Sequence, residues 1–358
     1  MNCYKFLLIA LPLAMILSCS SDDDSEFEQP EKKSYPIMMT ATERPLADPD
    51  APKGAPSRAP KVTTSTLDEF RVFFWGEDVI TESHSHFGSS FLLKRSEDDF
   101  WGGLQNWPEG YYEEDTPENR DKKLTFYAYN YFDEDEDPDD VPNMSAEAGK
   151  AVISVVVDAN SDSQTDLLAG KNIVSYNDHN GIVPMTFDHI SAAVQVKLKK
   201  TSSLSNYTVN VGKVVLHHIL REGEYAFDDN SWTLSEDDYA DYVIAAYSDA
   251  VSQGDDDGDL EIEEGFKLLS KKGDYLFLLP QTLKGWDKNG SPKDSYIEIQ
   301  CKIYNNTEGY KVGQANEYGS VYLPLGAELK MGYINKLNIS MGTALRYENG
   351  ERVFKSDD

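Results

Sequence analysis

The sequence of 358 residues predicts an all-β protein made of antiparallel β-sandwiches, with minor helical segments. Two observations carry this prediction. Runs of β-branched and aromatic residues are short, and Gly, Asn, Asp or Pro interrupts them. Several runs also alternate between apolar and polar residues, as Val194, Val196 and Leu198 do with the polar residues between them. Such alternation is typical of a strand with one buried face and one solvated face.

The clearest strands are spread over the whole chain after residue 62. They are FRVFFW (70–75), KLTFYAYNYF (123–132), AVISVVV (151–157), AAVQVKL (192–198), YTVNVGKVVLHHIL (207–220), DYLFLLP (274–280), YIEIQCKIYN (296–305) and INKLNISM (334–341). Residues 237–252 are predicted as the main helix, and residues 164–170 as a single helical turn. The polar segment 199–206 has no periodicity and predicts a domain boundary there. It divides the chain into domains 62–202 and 203–358, each long enough to bury a core.

The N-terminus is predicted as a lipoprotein signal peptide, residues 1–18. Lys5 precedes the apolar stretch 6–16, which is too short to span a bilayer as a helix. Ser18 before Cys19 is typical of a site where the cysteine becomes the new N-terminus and is acylated, for example with palmitate. Cys19 is therefore the predicted lipidation site, and the chain is expected to be anchored to the outer membrane. An ordinary signal peptide is the alternative.

Composition argues against several classes of function. A formal net charge of −30 disfavours binding to nucleic acids and to anionic membrane surfaces. The sequence has no nucleophile elbow, no glycine-rich phosphate loop and no Cys–His pairing, so neither enzymatic activity nor a cofactor is predicted. Cys301 has no intramolecular partner once Cys19 is acylated, and we expect it to be a small buried residue within its strand.

Three stretches together resemble the fimbrillin family of Bacteroidota, which comprises the subunits of type V pili and related surface lipoproteins. Residues 106–132 contain Trp-Pro and then a Phe-Tyr-Ala-Tyr strand, and residues 183–198 contain Phe-x-His followed by a strand. Residues 275–341 contain Leu-Pro-Gln, a pair of strands and a closing strand. The closing strand departs from the family pattern Gly-Lys-x-Tyr-x-Tyr, because it is MGYINKLNI (331–339) here.

The resemblance implies two transthyretin-like β-sandwich domains in tandem on a lipid anchor. In pilus-forming relatives an arginine-specific protease removes an N-terminal strand, and a strand of the next subunit fills the groove. The implied partners are other pilin subunits, joined head to tail by strand exchange, and a receptor on a host or bacterial surface. The implied location is the outer membrane and, after assembly, the fimbrium.

The segment 19–61 has the order that such a system requires. A short strand, YPIMMTAT (35–42), precedes a linker with prolines at 45, 49, 52, 56 and 60. Closely spaced prolines keep a linker extended and outside any sheet. The bond between Arg58 and Ala59 is the predicted cleavage site, with Arg44 as the alternative, although Pro45 follows it. The other interpretation is a spacer that is never cut.

Two further patterns allow other functions. In the segment 253–264 the carboxylates of Asp255, Asp257, Asp259 and Glu264 have the spacing of a calcium loop, but Gln253 occupies the first position. A solvated turn is the favoured interpretation, and no other metal site is predicted.

A monomeric surface lipoprotein that binds glycan or a host ligand is the alternative function. Its candidate surface is residues 101–112, with Trp101 and Trp107 exposed to stack on sugars. The sequence leaves open whether residues 342–354 are a donated strand or complete the sheet of their own subunit.

Overall fold

The computed structural model describes residues 35–50, 66–80, 85–87, 90–112, 117–130, 151–160, 163–247, 260–269, 275–286, 294–342, 345–348 and 351–354. Strands dominate this part of the chain, which confirms the all-β prediction. Its helices are short: α1 has four residues (Pro117–Arg120), and the 3₁₀ helices Asn177–His179 and Ser202–Leu204 have three each.

Nine strands precede residue 190. They are β1 (Pro36–Glu43), β2 (Glu69–Ile80), β3 (Ser85–Phe87), β4 (Phe91–Arg95), β5 (Trp101–Asn106), β6 (Lys123–Tyr129), β7 (Val152–Val156), β8 (Leu168–Ser175) and β9 (Ile182–His189). All except β7 form one sheet in the order β3-β2-β4-β5-β1-β9-β8-β6, and β2 also pairs with β6. The seven strands other than β3 therefore close on themselves, and we call them the closed sheet. In the described part of the chain, each of its strands has a neighbour on both sides.

Sixteen strands follow. They are β10 (Ala192–Lys200), β11 (Thr208–Leu220), β12 (Glu222–Ala226), β13 (Ser231–Leu234), β14 (Tyr239–Ala246), β15 (Leu260–Glu261), β16 (Lys267–Leu268), β17 (Leu276–Leu278), β18 (Gln281–Leu283), β19 (Tyr296–Asn305), β20 (Gly309–Val312), β21 (Gly319–Pro324), β22 (Ala327–Leu329), β23 (Ile334–Met341), β24 (Leu345–Glu348) and β25 (Glu351–Phe354). One sheet joins β10 to β16, β17 and β23, and another has the order β14-β11-β19-β20 with β15 and β21 attached. The pairs β18–β22 and β24–β25 stand apart.

Two large clusters of buried apolar residues hold these sheets together. The first fills the closed sheet with aromatic side chains such as Phe70, Phe126 and Phe187. The second lies between the sheets of the C-terminal half and extends to Phe73 on the outer face of the closed sheet. The ring of Phe73 packs on that of Phe227 at a centroid distance of 5.8 Å. This arrangement of packed sheets is sandwich-like, as the sequence predicts.

Strand pairing mixes the two halves of the chain. β10, which lies before the predicted boundary in 199–206, pairs in parallel with β23 over residues 193–200. β7 likewise pairs with β12 from the second half. The change from the closed sheet to the second group of sheets occurs between His189 and Ala192. The division into domains 62–202 and 203–358 stays a prediction.

The two helical predictions are wrong. Residues 239–246 form β14 and pair with β11, with Tyr242 fully buried. The long strand β11 offers a backbone edge for pairing, and this tertiary contact overrides the helical preference of the segment. In the second case Leu168 begins β8, and the side chain of Gln164 accepts a hydrogen bond from the amide of Phe277 at 3.0 Å. This bond ties the segment before β8 to β17.

Cys301 lies on the inner face of β19 and is fully buried, as expected. Burial raises the pKa of its thiol to about 12. Because the thiolate is the reactive form, this cysteine serves packing and has no role as a nucleophile.

Candidate functional site

In the closed sheet, β1 lies between β5 and β9. It is antiparallel to β5 and parallel to β9, where Met38–Glu43 pairs residue by residue with Ile182–Phe187. Parallel pairing requires a long crossover between the two strands. β1 lies near the start of the described chain, just before the linker. It is nevertheless paired on both of its edges within the sheet.

Alternate side chains of β1 point into the aromatic core. Ile37 and Met39 are fully buried, whereas Pro36 and Thr42 on the same strand are exposed. Burial of one such side chain contributes about 1.5–3 kcal/mol. β1 is therefore held both by main-chain hydrogen bonds on its two edges and by apolar pockets for alternate residues.

The chain continues past β1 onto the other half of the protein. The side chain of Leu46 is buried against Phe277 and Ile334. The amide of Ala47 donates to the carbonyl of Gly332 at 2.8 Å, and the amide of Ile334 donates to the carbonyl of Ala47 at 2.9 Å. We call residues 35–50 the N-terminal segment, because its backbone bonds run from β5 and β9 to residues 332–334 and so reach both halves of the protein.

A basic residue of this segment binds at the end of β9. The amide of Arg44 donates to the carbonyl of Phe187 at 2.9 Å. Its guanidinium Nη1 donates to both carboxylate oxygens of Asp188, at 2.8 and 2.7 Å. Beside this pair lies an open cavity of about 520 Å³, lined also by Thr186, Tyr225 and Phe227.

Two acidic residues of the segment bind a lysine of β23. The Nζ atom of Lys336 lies 2.5 Å from Asp48 and 3.0 Å from Asp50. The side chain of Lys336 is only 14% exposed. Its hydrogen bond is the largest influence on the pKa of Asp48, which is held below its ordinary value. Burial acts to lower the pKa of Lys336, but the hydrogen bonds to Asp48 and Asp50 outweigh it and raise that pKa.

The Asp48–Lys336 pair predicts a pH-dependent contribution to stability. A lowered pKa means that the ionised form of Asp48 is favoured in the folded state, so its contribution is complete above the ordinary aspartate value of 3.8 and is lost as pH falls through the lowered folded value. We expect Asp48→Asn to reduce the free energy of unfolding by about 1–3 kcal/mol at neutral pH. The difference from wild type should shrink as pH falls through the lowered folded pKa of Asp48, because both chains become neutral at this position.

Urea unfolding of both proteins across the pH range measures this difference. Asp50→Asn is the matched control, because Asp50 contacts the same lysine but its side chain is 68% exposed. It should cost less than about 1 kcal/mol. A cost for Asp48→Asn that stays constant from neutral to acid pH would contradict the assignment.

Three of the sequence-predicted site residues, Cys19, Arg58 and Ala59, lie outside the described residues, so lipidation and cleavage at these positions stay predictions. Arg44, the alternative cleavage site, is described: its amide and its guanidinium are both bonded to β9. Arg71, the next arginine after the linker, lies within β2, where it is paired with Leu92 of β4 and Tyr129 of β6.

The structure removes one argument for a calcium loop at residues 253–264. Asp255, Asp257 and Asp259 lie outside the described residues, and Glu264 is exposed at the surface. The helix predicted before the loop is β14, so the helix that enters a calcium loop of this type is replaced by a strand. In the ranges that the structure describes, no group of three or more His, Cys, Asp or Glu side chains is arranged to hold a metal ion. Calcium binding stays an untested alternative to the solvated turn.

The prediction that Trp101 and Trp107 are exposed on a glycan-binding surface is wrong. Trp101 and Trp107 are each 2% exposed, and Tyr111 is equally buried. The indole of Trp101 donates to the carbonyl of Leu67 at 3.3 Å, and that of Trp107 donates to the carbonyl of Gly181 at 3.0 Å. Because their faces pack in the core, these tryptophans cannot stack on a sugar, and the glycan alternative loses its candidate surface.

Sequence reasoning missed the residues that hold the N-terminal segment. Asp188 lies within the Phe-x-His motif and Lys336 within the closing strand, and neither has a local signal of its role. Their partners lie 144 and 288 residues away along the chain. The signal that was present is the charge pattern of the segment itself: a basic residue, an apolar residue and then two acids.

Comparisons with known proteins agree with this fold. The model of a family described as fimbrillin-like matches residues 57–354. A fimbrial protein from Bacteroides vulgatus has a similar structure, with 14% identity and a TM-score of 0.51 over 86% of this chain and 95% of that one. The fimbrial anchor protein Mfa2 from Porphyromonas gingivalis has 11% identity and a TM-score of 0.34 over 86% and 90% of the two chains. No curated protein matches the sequence. No helix in the described ranges is both long and apolar enough to span a membrane.

Proposed function

The chain belongs to the fimbrillin-like family, and from this premise we propose that it is a pilus subunit or pilus-associated adhesin of the cell surface that assembles by strand exchange. Its role is adhesion or scaffolding, without enzymatic chemistry. Cys19 carries the lipid that anchors the subunit to the outer membrane. The observation that carries the proposal is the position of β1, which is central in a closed sheet and is followed by the proline-rich linker.

Removal of β1 would change the surface of the closed sheet in two ways. β5 and β9 would each gain a free edge with unpaired amides and carbonyls, and such edges are templates for another strand. The pockets of Ile37 and Met39 would be emptied at the same time. A strand from a second subunit restores both the hydrogen bonds and the apolar contacts.

The geometry of such a contact favours a fibre. The donor and the acceptor are different surfaces of each subunit, so the contact is head-to-tail and propagates from one subunit to the next. The intact N-terminal segment prevents this by occupying its own groove. Proteolysis in the linker is therefore the step that we propose as the control of assembly.

Arg58 is the proposed cleavage site. It lies in the proline-rich stretch, and Ala59 follows it. Two features disfavour Arg44: Pro45 follows it, and its amide is already bonded to Phe187. A protease must pull its substrate into an extended conformation, and the contacts of Arg44 oppose this.

We expect an arginine-specific protease to cut the purified precursor after Arg58 and to start assembly. N-terminal sequencing should then find Ala59, and an unheated denaturing gel should show a ladder of high-mass species. Arg58→Gln should abolish both results, while the matched variant Arg44→Gln should leave cleavage at Arg58 intact. If the precursor resists cleavage at Arg58, the linker is a spacer and the processing step is wrong. Cleavage without a ladder would contradict self-assembly.

A further inference from the structure

The groove of the N-terminal segment has charges of opposite sign along its length. Arg44 forms an ion pair with Asp188 at the end of β9, and Asp48 and Asp50 form ion pairs with Lys336 on β23. When the segment leaves, both Asp188 and Lys336 lose these partners. The emptied groove therefore offers one anionic and one cationic position to whatever enters it.

The two positions differ in their surroundings. Asp188 is one-third exposed and lies beside the open cavity, where a long basic side chain has room to enter. Lys336 is more deeply buried, and Lys197 also acts on the acidic residue that binds there. A buried charge without a partner costs free energy. The groove consequently favours a strand that returns a counter-charge to each position.

The two positions lie beyond the end of β1 at Glu43, where backbone bonds hold the chain in place. The amide of Arg44 is bonded to Phe187, and Ala47 is bonded to Gly332 and Ile334. The apolar pockets of Ile37 and Met39 lie before the anionic position, and the pocket of Leu46 lies between the two charges. A strand shifted by one residue would place its apolar side chains on the wrong face.

We propose that Asp188 and Lys336 select the incoming strand and fix its register, because they bind a basic residue and, four or six residues later, an acidic residue. This inference rests on the proposed function and adds to it a recognition rule for the partner. The partner is an extended strand with two alternating apolar residues, then the basic residue, one more apolar residue and the acid.

Part of this pattern is present in the C-terminal sequence of a second copy of this chain. Aligned without gaps with residues 37–50, residues 345–358 place Leu345 and Tyr347 at the positions of Ile37 and Met39, Arg352 at Arg44, Phe354 at Leu46 and Asp358 at Asp50, whereas Ser356 stands at Asp48. In the described part of the chain, β24 and β25 from this stretch pair only with each other. They pair as a hairpin, which would have to open before this stretch could enter a groove as one extended strand.

The test uses the full precursor with the recognition sequence of a site-specific protease placed at 55–60. After cleavage the segment is held without a covalent link, and labelled peptides compete for its groove. The probes are peptides 35–50 and 345–358, each also with its arginine changed to glutamine (Arg44→Gln, Arg352→Gln). Fluorescence polarisation measures their apparent affinity for the wild-type acceptor and for the Asp188→Asn acceptor.

We expect loss of the arginine to weaken binding to the wild-type acceptor by about threefold to fivefold, the range for a partly exposed ion pair. The Asp188→Asn acceptor should not distinguish the two peptides, and an Asp188→Lys acceptor should prefer a peptide with Arg44→Glu. A matching pair of variants, Lys336→Gln with the peptide change Asp50→Asn, tests the cationic position. Urea unfolding of each acceptor before cleavage verifies that it is folded.

Each contrary result points to one part of the argument. Equal affinity with and without the arginine on the wild-type acceptor, or an equal loss on Asp188→Asn, overturns the charge selection while strand exchange stands. Charge-dependent binding of peptide 35–50 without any binding of peptide 345–358 overturns the second copy as the donor. If even peptide 35–50 does not enter, strand exchange itself is wrong. Because the cleavage site is engineered, none of these results depends on processing at Arg58.

Discussion

Replacing Trp107 with alanine is expected to lower the free energy of unfolding by about 3–5 kcal/mol, the largest effect of any single change that we predict. The indole is almost fully buried and donates to the carbonyl of Gly181. It also packs edge-on against Phe126 at 5.4 Å and Tyr176 at 5.5 Å. The alanine variant would therefore lose apolar contacts, a hydrogen bond and two aromatic pairs at once.

Urea unfolding followed by circular dichroism measures this loss. Leu104→Ala is the matched control: it removes a large apolar side chain from a fully exposed position of β5 and should change the free energy of unfolding by less than about 0.5 kcal/mol. A loss below about 1 kcal/mol for Trp107→Ala would show that the indole does not belong to the core. It would also return the aromatic segment to consideration as a ligand surface.

Replacing Met39 with alanine is expected to cost the precursor about 2–5 kcal/mol. Met39 is fully buried in the core of the closed sheet, next to the pocket of Ile37. The strand exchange that we propose gives this change an unusual property. Met39 leaves with the N-terminal segment, so the variant precursor is destabilised, whereas the processed subunit in a fibre should have wild-type stability.

The two stages are compared by unfolding the precursor in urea and by dissociating assembled fibres in the same denaturant. Thr42→Ser is the control on the same strand, because it removes only a methyl group from an exposed side chain and keeps the hydroxyl that contacts Met185 and Thr186. It should leave both stages within about 0.5 kcal/mol of wild type. Fibres of Met39→Ala that dissociate more readily than wild-type fibres would indicate that β1 stays in the assembled subunit.

Much of the architecture was predictable from local patterns. Alternation of apolar and polar residues located β10 and β23, and the apolar stretch before the linker located β1. The same patterns failed at 237–252, where the residues suit a helix as well as a strand and a contact with β11 decides between them. Local sequence does not encode which strand edge is open for pairing, so it does not predict whether these residues form a helix or a strand.

The candidate site was predictable only in outline. The order of strand, proline-rich linker and strand pointed to the N-terminal segment, but the residues that receive it did not stand out. Asp188 follows a buried phenylalanine and Lys336 lies in an alternating strand, so each resembles an ordinary solvated residue. Their role arises from pairing across more than a hundred residues, which a single sequence does not show.

The parallel pairing of β1 with β9 also fixes a sequence of events in synthesis. Thr42 contacts Met185 across this pair, and the two residues are 143 positions apart. A chain that leaves the ribosome from its N-terminus presents β1 long before β9 exists. Ile37 and Met39 must wait for their partners throughout that interval, and contacts between residues so far apart form slowly. β1 is thus synthesised early but paired late. Its apolar side chains stay exposed during the interval between synthesis and closure of the sheet.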